Sequence, residues 1–332
     1  MISSTHIDFK ASRKFRRLAL NTVISLYLVI IAGGVVRSTG SGMGCPDWPK
    51  CFGQWVPPTE LSQLPENYKE IYGAKLKGEV EFNPVKTWTE YVNRLVGVVT
   101  GIMIFLTLLA SVPYLKTGQS KIFFYSLAAF ILVGVQGWLG AKVVATELMP
   151  GMITIHMLLA IVIVFILLYL FTWSTFSPGL FKSDKNAPLL NKLGLSVLGL
   201  SFMQILLGTQ VREHMDEVIH ALGYGARAEW IEHLGTTFYV HRSFSILVVL
   251  ANFYWLYQVG KSGADSRLIK FVKGCQVVLL LELFSGIAMA YFGVPPFAQP
   301  MHLTMGILLI GIQYVIWLLI NEKKYLVNKS LV

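Results

Sequence analysis

Eight apolar stretches, each of about 20 residues, recur along this 332-residue chain. A helix of that length spans the hydrocarbon core of a bilayer, which is about 30 Å thick. The sequence is 54% hydrophobic and only 14% charged, so lipid is expected to cover most of the surface. The chain is therefore predicted to be an all-α integral membrane protein. The predicted transmembrane helices are residues 18–36, 91–113, 121–141, 153–174, 192–211, 237–258, 268–292 and 299–320.

Basic residues lie mainly in the short loops on one side of these predicted helices. By the positive-inside rule that side is cytoplasmic, which predicts a multi-pass protein of a bacterial-type inner membrane with both termini in the cytoplasm. The net charge of +10 follows from this topology and from anionic lipid, so no nucleic-acid partner is expected. Residues 38–88, 212–236 and 293–300 are predicted to face outward. The basic residues on the inner side are Lys10, Arg13, Lys14, Arg16, Arg17, Lys116, Lys121, Lys182, Lys185, Lys192, Lys261, Arg267, Lys270, Lys273, Lys323, Lys324 and Lys329.

Two segments of the first half recur in the second half. TEYVNRLVG at residues 89–97 resembles TFYVHRSFS at residues 237–245, and residues 136–157 align without a gap on residues 282–303. An internal duplication is therefore predicted. Because four helices make each half, both halves have the same orientation, and together they form a parallel repeat. The two predicted four-helix bundles are residues 1–175 and residues 176–332.

The repeat aligns four polar positions inside the membrane. Asn93 corresponds to His241, and His156 corresponds to His302. All four lie near the outer ends of helices that run inward, so they share one depth. Two histidines at one depth on neighbouring helices can hold a haem iron from opposite faces, and His241 with His302 is the predicted pair. His156 is the predicted iron ligand of the first half, where Asn93 is a poor ligand. The alternative for each histidine is a hydrogen bond to another helix.

Arginines surround both predicted sites. Arg94 and Arg242 follow the aligned positions, whereas Arg37 and Arg212 are predicted to close helices at the outer surface. A haem with its propionates outward would need cations at that level. Arg37 and Arg94 are therefore assigned to the first-half site, and Arg212 and Arg242 to the second. The alternative is that these arginines anchor helix ends to lipid headgroups.

One acidic position distinguishes the two halves. Glu90 lies about one turn before Asn93 and Arg94 on the same helix face, and Phe238 occupies its position in the second half. A carboxylate is therefore expected beside the first site only. The first half is predicted to react, with Glu90 as proton acceptor or stabiliser of positive charge, and the second half to hold an electron-transfer haem. The alternative for Glu90 is an ion pair with Arg94 or Arg37.

The first outer loop contains Cys45 and Cys51, separated by a segment with two prolines. Such a turn can bring two thiols within disulfide distance, and an oxidising exterior favours the bond. The sequence leaves the bond open, and it leaves open whether the loop is a structural clip or a lid with a redox-sensitive switch.

These features together resemble one family, heme A synthase, which converts haem O to haem A. The likeness includes the duplicated eight-helix plan and the single histidines of helices four and eight, and it covers nearly the whole chain. The matching motifs are GGVVRSTGSG at residues 33–42, CPDWPKC at 45–51, EYVNR at 90–94 and HR at 241–242.

The resemblance implies a cofactor, a substrate and a reaction. It implies haem b held by His241 and His302, and haem O bound in the first half with Glu90 acting at its ring methyl. That methyl would be oxidised through an alcohol to a formyl group by successive hydroxylations and loss of water. The family's usual helix-two motif has a histidine where this chain has Asn93, so haem O would be held by His156 without a second histidine.

The resemblance also implies partners, namely haem O synthase and oxidase assembly factors within the lipid bilayer. The electron-transfer partner and a homo-oligomer are left open by the sequence. Two other classes use the same histidines: a di-haem membrane protein of cytochrome b type that transfers electrons, and a haem carrier. Neither would change its haem chemically, so the product of turnover separates the synthase from both.

Overall fold

The computed structural model describes residues 12–73, 81–146, 149–176 and 187–326. Among these residues eight helices are long and apolar enough to cross a membrane, no β-strand occurs, and the predicted all-α membrane class is confirmed. Four of the basic residues used to orient the chain, Lys10, Lys182, Lys185 and Lys329, lie outside the described residues. The helices are α1 (Arg13–Ser38), α2 (Pro84–Ser111), α3 (Ser120–Ala145), α4 (Pro150–Thr175), α5 (Ala187–Leu222), α6 (Gly235–Lys261), α7 (Ser266–Tyr291) and α8 (Ala298–Ile320).

Short polar side chains fix where three of these helices begin. The Ser12 hydroxyl accepts a hydrogen bond from the Phe15 N–H at the start of α1. Asn83 does the same for α2, with a proline in the first turn, and Asp265 does so for α7. Each cap satisfies a backbone N–H that has no partner within its own helix. The helix starts are therefore set by local chemistry in addition to apolar length.

The helix α5 departs most from its predicted bounds. The sequence placed its end at residue 211, with Arg212 closing the helix and an outer loop following. The helix instead continues to Leu222, about three turns further, because the first residue that breaks it is Gly223, with φ of 78°. The prediction that Arg212 closes a helix was therefore wrong, and the outer extension of α5 (Arg212–Leu222) is an ordered part of the fold.

The eight helices pack as two rings of four. In the first ring α1 contacts α2, α2 contacts α3, α3 contacts α4, and α4 returns to α1. In the second ring α5, α6, α7 and α8 contact one another in the same closing order. The rings meet mainly through α8, which contacts both α1 and α4. This arrangement supports the proposed division into halves of residues 1–175 and 176–332.

The helix α8 lies at the centre of the molecule. In its most apolar window 67% of the residues are buried, compared with 22 to 39% in the other seven helices. A Cβ added at Gly34 of α1 would lie 2.9 Å from Pro300 Cβ of α8, so the two helices approach closely there. Deeper in the membrane, the Gln313 amide of α8 donates to Asn252 of α6 at 2.7 Å, and both side chains are fully buried. These contacts make α8 a fixed support for the residues near its outer end.

Candidate functional site

A cavity of about 1990 Å³ is lined by helices of both rings. A site for one drug-sized ligand occupies about 300–1,000 Å³, so this cavity has room for more than one such ligand. All nine predicted site residues other than the cysteines line it: Arg37, Glu90, Asn93, Arg94, His156, Arg212, His241, Arg242 and His302.

His241 and His302 face each other across the second ring. Their ring centroids are 6.4 Å apart and their planes are inclined by 78°. Two imidazoles that bind one iron from opposite sides, each at the roughly 2 Å of a metal–imidazole bond, have centroids about 6 Å apart. The sequence predicts the pair on neighbouring helices, but α6 and α8 lie diagonally across the ring. The correction has a simple reason, because a ligand held between two side chains needs open space between their helices.

The His302 ring is held by groups on α7. Its Nδ1 lies 2.9 Å from the Ser285 hydroxyl oxygen, 3.2 Å from the Glu282 carbonyl oxygen and 3.3 Å from the Glu282 carboxylate. With Nδ1 occupied, Nε2 is the nitrogen available to a metal, the usual arrangement for a metal-binding histidine. The Gln204 amide donates to the His241 carbonyl oxygen at 3.1 Å, and the His241 Nδ1 is buried without a partner. The residues of the second half therefore fit a haem held by two histidines.

Glu282 overturns one expectation from the sequence. A carboxylate was expected beside the first site only, yet Glu282 contacts His302 in the second, and its Oε2 is buried without a partner. The comparison of Glu90 with Phe238 missed it, because the second-half carboxylate comes from α7 and not from the helix equivalent to α2. The gapless repeat alignment, which places Gln136 on Glu282, contained the signal.

The polar side chains of the first-half site have fewer hydrogen-bond partners than His302 has in the second half. His156 on α4 and Asn93 on α2 both line the cavity, and the His156 Nδ1 and the Asn93 Oδ1 are buried without hydrogen-bond partners. Gln136, which the repeat aligns with Glu282, donates to the His156 carbonyl oxygen at 3.0 Å and not to the His156 ring. The site therefore offers a ligand one imidazole and one amide, and the imidazole has no neighbour comparable to Glu282.

Glycines make room for the histidine rings. A Cβ added at Gly286 would lie 3.2 Å from the His302 Cε1, and one added at Gly208 would lie 3.3 Å from the His241 Cε1. Gly140, which the repeat aligns with Gly286, faces the first-half histidine at 3.6 Å. Separations below about 3.4 Å force a neighbour to move, so the first two glycines are the more demanding positions.

We expect Gly286→Ala to displace the His302 ring and weaken haem retention by about tenfold, as changes next to metal ligands commonly do. The measurement is the rate of haem transfer from the purified protein to an excess of apomyoglobin. Gly274→Ala is the matched control on the same helix, since nothing lies within 4 Å of its added Cβ. Equal rates for the two variants would contradict the role assigned to Gly286.

Glu90 joins α2 to the outer loop. Its Oε1 lies 2.5 Å from the Arg94 guanidinium, its Oε2 accepts the Cys45 N–H at 2.7 Å, and its side chain is only 4% exposed. Arg94 donates in turn to the carbonyl oxygens of Cys45, Asp47 and Lys50 at 2.7 to 3.0 Å. The ion pair with Arg94 that the sequence analysis gave as an alternative is therefore present. Glu90 also reaches the cavity wall, so holding the loop and acting on a ligand are compatible roles.

The bond between Cys45 and Cys51 that the sequence leaves open is present, and both residues are fully buried. They lie in a small apolar core of the outer loop together with Phe52. Trp48 and Trp55 of the same loop line the cavity. The bond therefore fastens a loop that covers the first-half site.

The two arginines assigned to opposite halves converge on one acid. Arg37 and Arg212 lie 2.5 and 2.7 Å from the two carboxylate oxygens of Asp216. The sequence predicts an outer loop at residues 212–236, so Asp216 is not predicted as a site residue. The Arg242 guanidinium lies over the Tyr239 ring, 5.2 Å from its centroid. The outer end of the cavity is thus lined by cations, as a ligand with carboxylates would require.

Comparison with known proteins adds independent information. The family model described as cytochrome oxidase assembly protein (COX15-CtaA) matches residues 16–314. Heme A synthase of Shewanella oneidensis is 30% identical over 189 residues, which is 56% of this chain and 53% of the relative. Heme A synthase of Bartonella bacilliformis is 28% identical over 176 residues, 48% of this chain and 49% of the relative. That of Shouchella clausii is 32% identical over 130 residues, 39% and 35% of the respective chains. The chain thus spans about half the length of the curated relatives it matches, or less.

Proposed function

The chain belongs to the cytochrome oxidase assembly protein family, and from this premise we propose that it oxidises a ring methyl of haem O to a formyl group, giving haem A. Relatives of similar sequence are heme A synthases. The observation that carries the proposal is the presence of two unequal sites in one cavity. One has two histidines facing each other, and the other has a single histidine, an amide and an ion-paired carboxylate.

In this proposal the second half is the cofactor site. His241 and His302 hold haem b, and Glu282 fixes the orientation of His302 through its contact with Nδ1. When bound, haem b supplies a one-electron redox centre. Arg212 and Arg242 line the outer part of the cavity, where they can pair with propionates.

The first half is the substrate site. His156 binds haem O, and Asn93 leaves the opposite face without a histidine. With water as the oxygen source, each hydroxylation of the methyl releases two electrons and two protons. The Glu90 carboxyl group pairs with Arg94 and lies at the cavity wall, where a negative charge would stabilise positive charge that develops on the substrate. Glu90 can also accept a released proton.

The ligands available in the first half distinguish the synthase from the electron-transfer alternative. A di-haem protein of cytochrome b type needs two axial ligands at each haem, and the first half has Asn93 facing the cavity where the second has His241. The contact of Glu282 with His302 is compatible with either class. The first half therefore does not fit a second haem held by two histidines, which counts against the cytochrome b class.

The experiment that tests the proposal compares cells that make haem O with and without this protein. Haem is extracted from both and identified by mass. We expect haem A or its alcohol intermediate only in the cells that contain the protein. Unaltered haem O and haem b, from folded and haem-loaded protein with its electron partners present, would contradict the proposal.

The cellular setting is part of the same proposal. The eight membrane-crossing helices and the basic residues near the start of α1 are consistent with an inner membrane and cytoplasmic termini. Haem O synthase and oxidase assembly factors are the proposed partners, together with an electron acceptor for the released electrons. A homo-oligomer would be compatible with the exposed apolar helix faces.

Replacing the first-half histidine tests substrate binding directly. His156→Ala is expected to weaken haem O binding by about tenfold or more. Losing an iron ligand should weaken binding at least as much as losing a residue that hydrogen-bonds to that ligand. A spectroscopic titration of the haem b-loaded protein measures this affinity. His214→Ala serves as control, because the His214 ring contacts the Gln210 carbonyl oxygen of its own helix. An unchanged haem O affinity in His156→Ala would remove His156 from the site.

A further inference from the structure

The outer extension of α5 places an acid between the two halves of the molecule. Asp216 lies one turn beyond Arg212 and lines the same cavity as the histidines. The Arg37 Nη2 of α1 donates to its Oδ2 at 2.5 Å, and the Arg212 Nη2 of α5 donates to its Oδ1 at 2.7 Å. The Arg212 Nη2 also reaches the Arg37 carbonyl oxygen at 3.4 Å. One carboxylate therefore bridges a cation from each half.

The two arginines lie in the first helix of each half, and each follows a glycine at the same spacing. Gly33 precedes Arg37 by four residues, and Gly208 precedes Arg212 by four residues. The first half has no acid to match Asp216, because the residue four positions after Arg37 is Ser41, which is buried and lies 2.7 Å from the Thr39 hydroxyl. Asp216 is thus the acid that pairs with both arginines, while Glu213 and Glu217 of the same extension also line the cavity.

The carboxylate of Asp216 is accessible from the cavity. Its side chain is 41% exposed, compared with 26% for Arg37 and 20% for Arg212. A carboxylate of a bound ligand that pairs with the Nη2 of either arginine takes the place of one Asp216 oxygen. Such an exchange replaces one anion with another, so it leaves the local charge balance of that arginine unchanged.

We propose that Asp216 is a counter-ion shared by the two haem sites, and that it couples their occupancy. The inference rests on the proposed function in one respect, the assignment of Arg37 to the substrate haem and of Arg212 to haem b. A propionate at either site competes with the same carboxylate, so neither site binds its haem independently of the other.

The geometry determines the sign of this coupling. With both arginines in place, Asp216 is held at both oxygens and has little freedom. When haem b takes Arg212, Asp216 keeps a single contact with Arg37 and is displaced more easily. Haem b in the second half therefore strengthens haem O binding in the first half, and by reciprocity haem O strengthens haem b binding.

The test is a set of spectroscopic titrations of the full chain with haem O. The dissociation constant is measured once in protein loaded with haem b, and once in His302→Ala protein, where the second site stays empty. We expect haem O to bind about fivefold or more tightly to the loaded protein. The same comparison made in the Asp216→Asn background should give equal constants. A difference that persists in Asp216→Asn, or no difference without that substitution, overturns the proposal.

Two further variants sharpen the test. Arg37→Gln removes the Asp216–Arg37 ion pair and leaves the Asp216–Arg212 pair, so it should also abolish the difference between the two dissociation constants. This variant replaces Asp216→Asn in the test if Asp216→Asn does not fold. Glu217→Gln is the matched control, since Glu217 is the neighbouring acid on the cavity wall, and there the difference should remain. If haem O binds with the expected coupling but leaves the protein unchanged in mass, the synthase proposal fails while the coupling stands. If the first half binds no haem O at all, both fail.

Discussion

Either substitution in the second-half pair, His241→Ala or His302→Ala, is expected to abolish the low-spin haem b absorption spectrum of the purified protein. Low-spin haem of this type needs both axial imidazoles, and the 6.4 Å between the ring centroids suits one iron between them. The loss should be nearly complete, because α8 is tightly packed and offers no substitute histidine among its described residues. Absorption spectra of the oxidised and reduced protein, with the haem content per chain, measure the effect.

His233→Ala is the control for this experiment. The His233 Nδ1 lies 3.0 Å from the Glu229 carbonyl oxygen in the short outer segment before α6, so its removal should leave the spectrum unchanged. A retained low-spin spectrum in folded His302→Ala protein would contradict the assignment of the cofactor site to the second half.

Glu90→Ala is expected to keep the haem b spectrum and to reduce product formation by at least about 100-fold, the usual scale for a lost acid–base group. The spectrum should survive because Glu90 belongs to the first ring and contacts Arg94 and Cys45, not the second-half histidines. Product formation should fall because the substitution removes the carboxylate from the cavity wall and leaves the Arg94 guanidinium without an anionic partner. Mass analysis of haem after incubation with haem O measures the effect.

Glu90→Gln separates the two roles of this side chain. Its amide oxygen can still accept the Cys45 N–H, but it carries no charge to pair with Arg94. If Glu90 acts through its charge, Glu90→Gln should be as inactive as Glu90→Ala. Recovery of activity in Glu90→Gln would assign Glu90 to positioning the loop, and normal turnover in Glu90→Ala would remove it from the mechanism altogether.

The membrane fold could be predicted well from the sequence, because a bilayer imposes a minimum apolar length on every crossing helix. The end of α5 could not be predicted in the same way. Arg212, Glu213, Asp216 and Glu217 are too polar for a membrane span, yet most are residues that helices accommodate readily. Apolar length indicates where a helix leaves the membrane, whereas Gly223 determines where this one ends.

The position of the histidines on the cavity wall could be predicted from the sequence, but the side chains that contact them could not. The repeat aligned His156 with His302, and both line the cavity. The contact of Glu282 with His302 depends on how α7 faces α8, and the bridge through Asp216 joins residues 179 positions apart in the chain. Such contacts depend on helix rotation and packing, which apolar periodicity and spacing leave undetermined.

The most direct test of the two-site account is the identity of the haem that each half retains. Wild-type, His156→Ala and His302→Ala proteins would be purified from cells that make haem O, and their extracted haems identified by mass. We expect His156→Ala to keep haem b and lose haem O with its oxidised products, and His302→Ala to lose haem b. Loss of the same haems in the same proportion from both variants would contradict the assignment of different haems to the two halves.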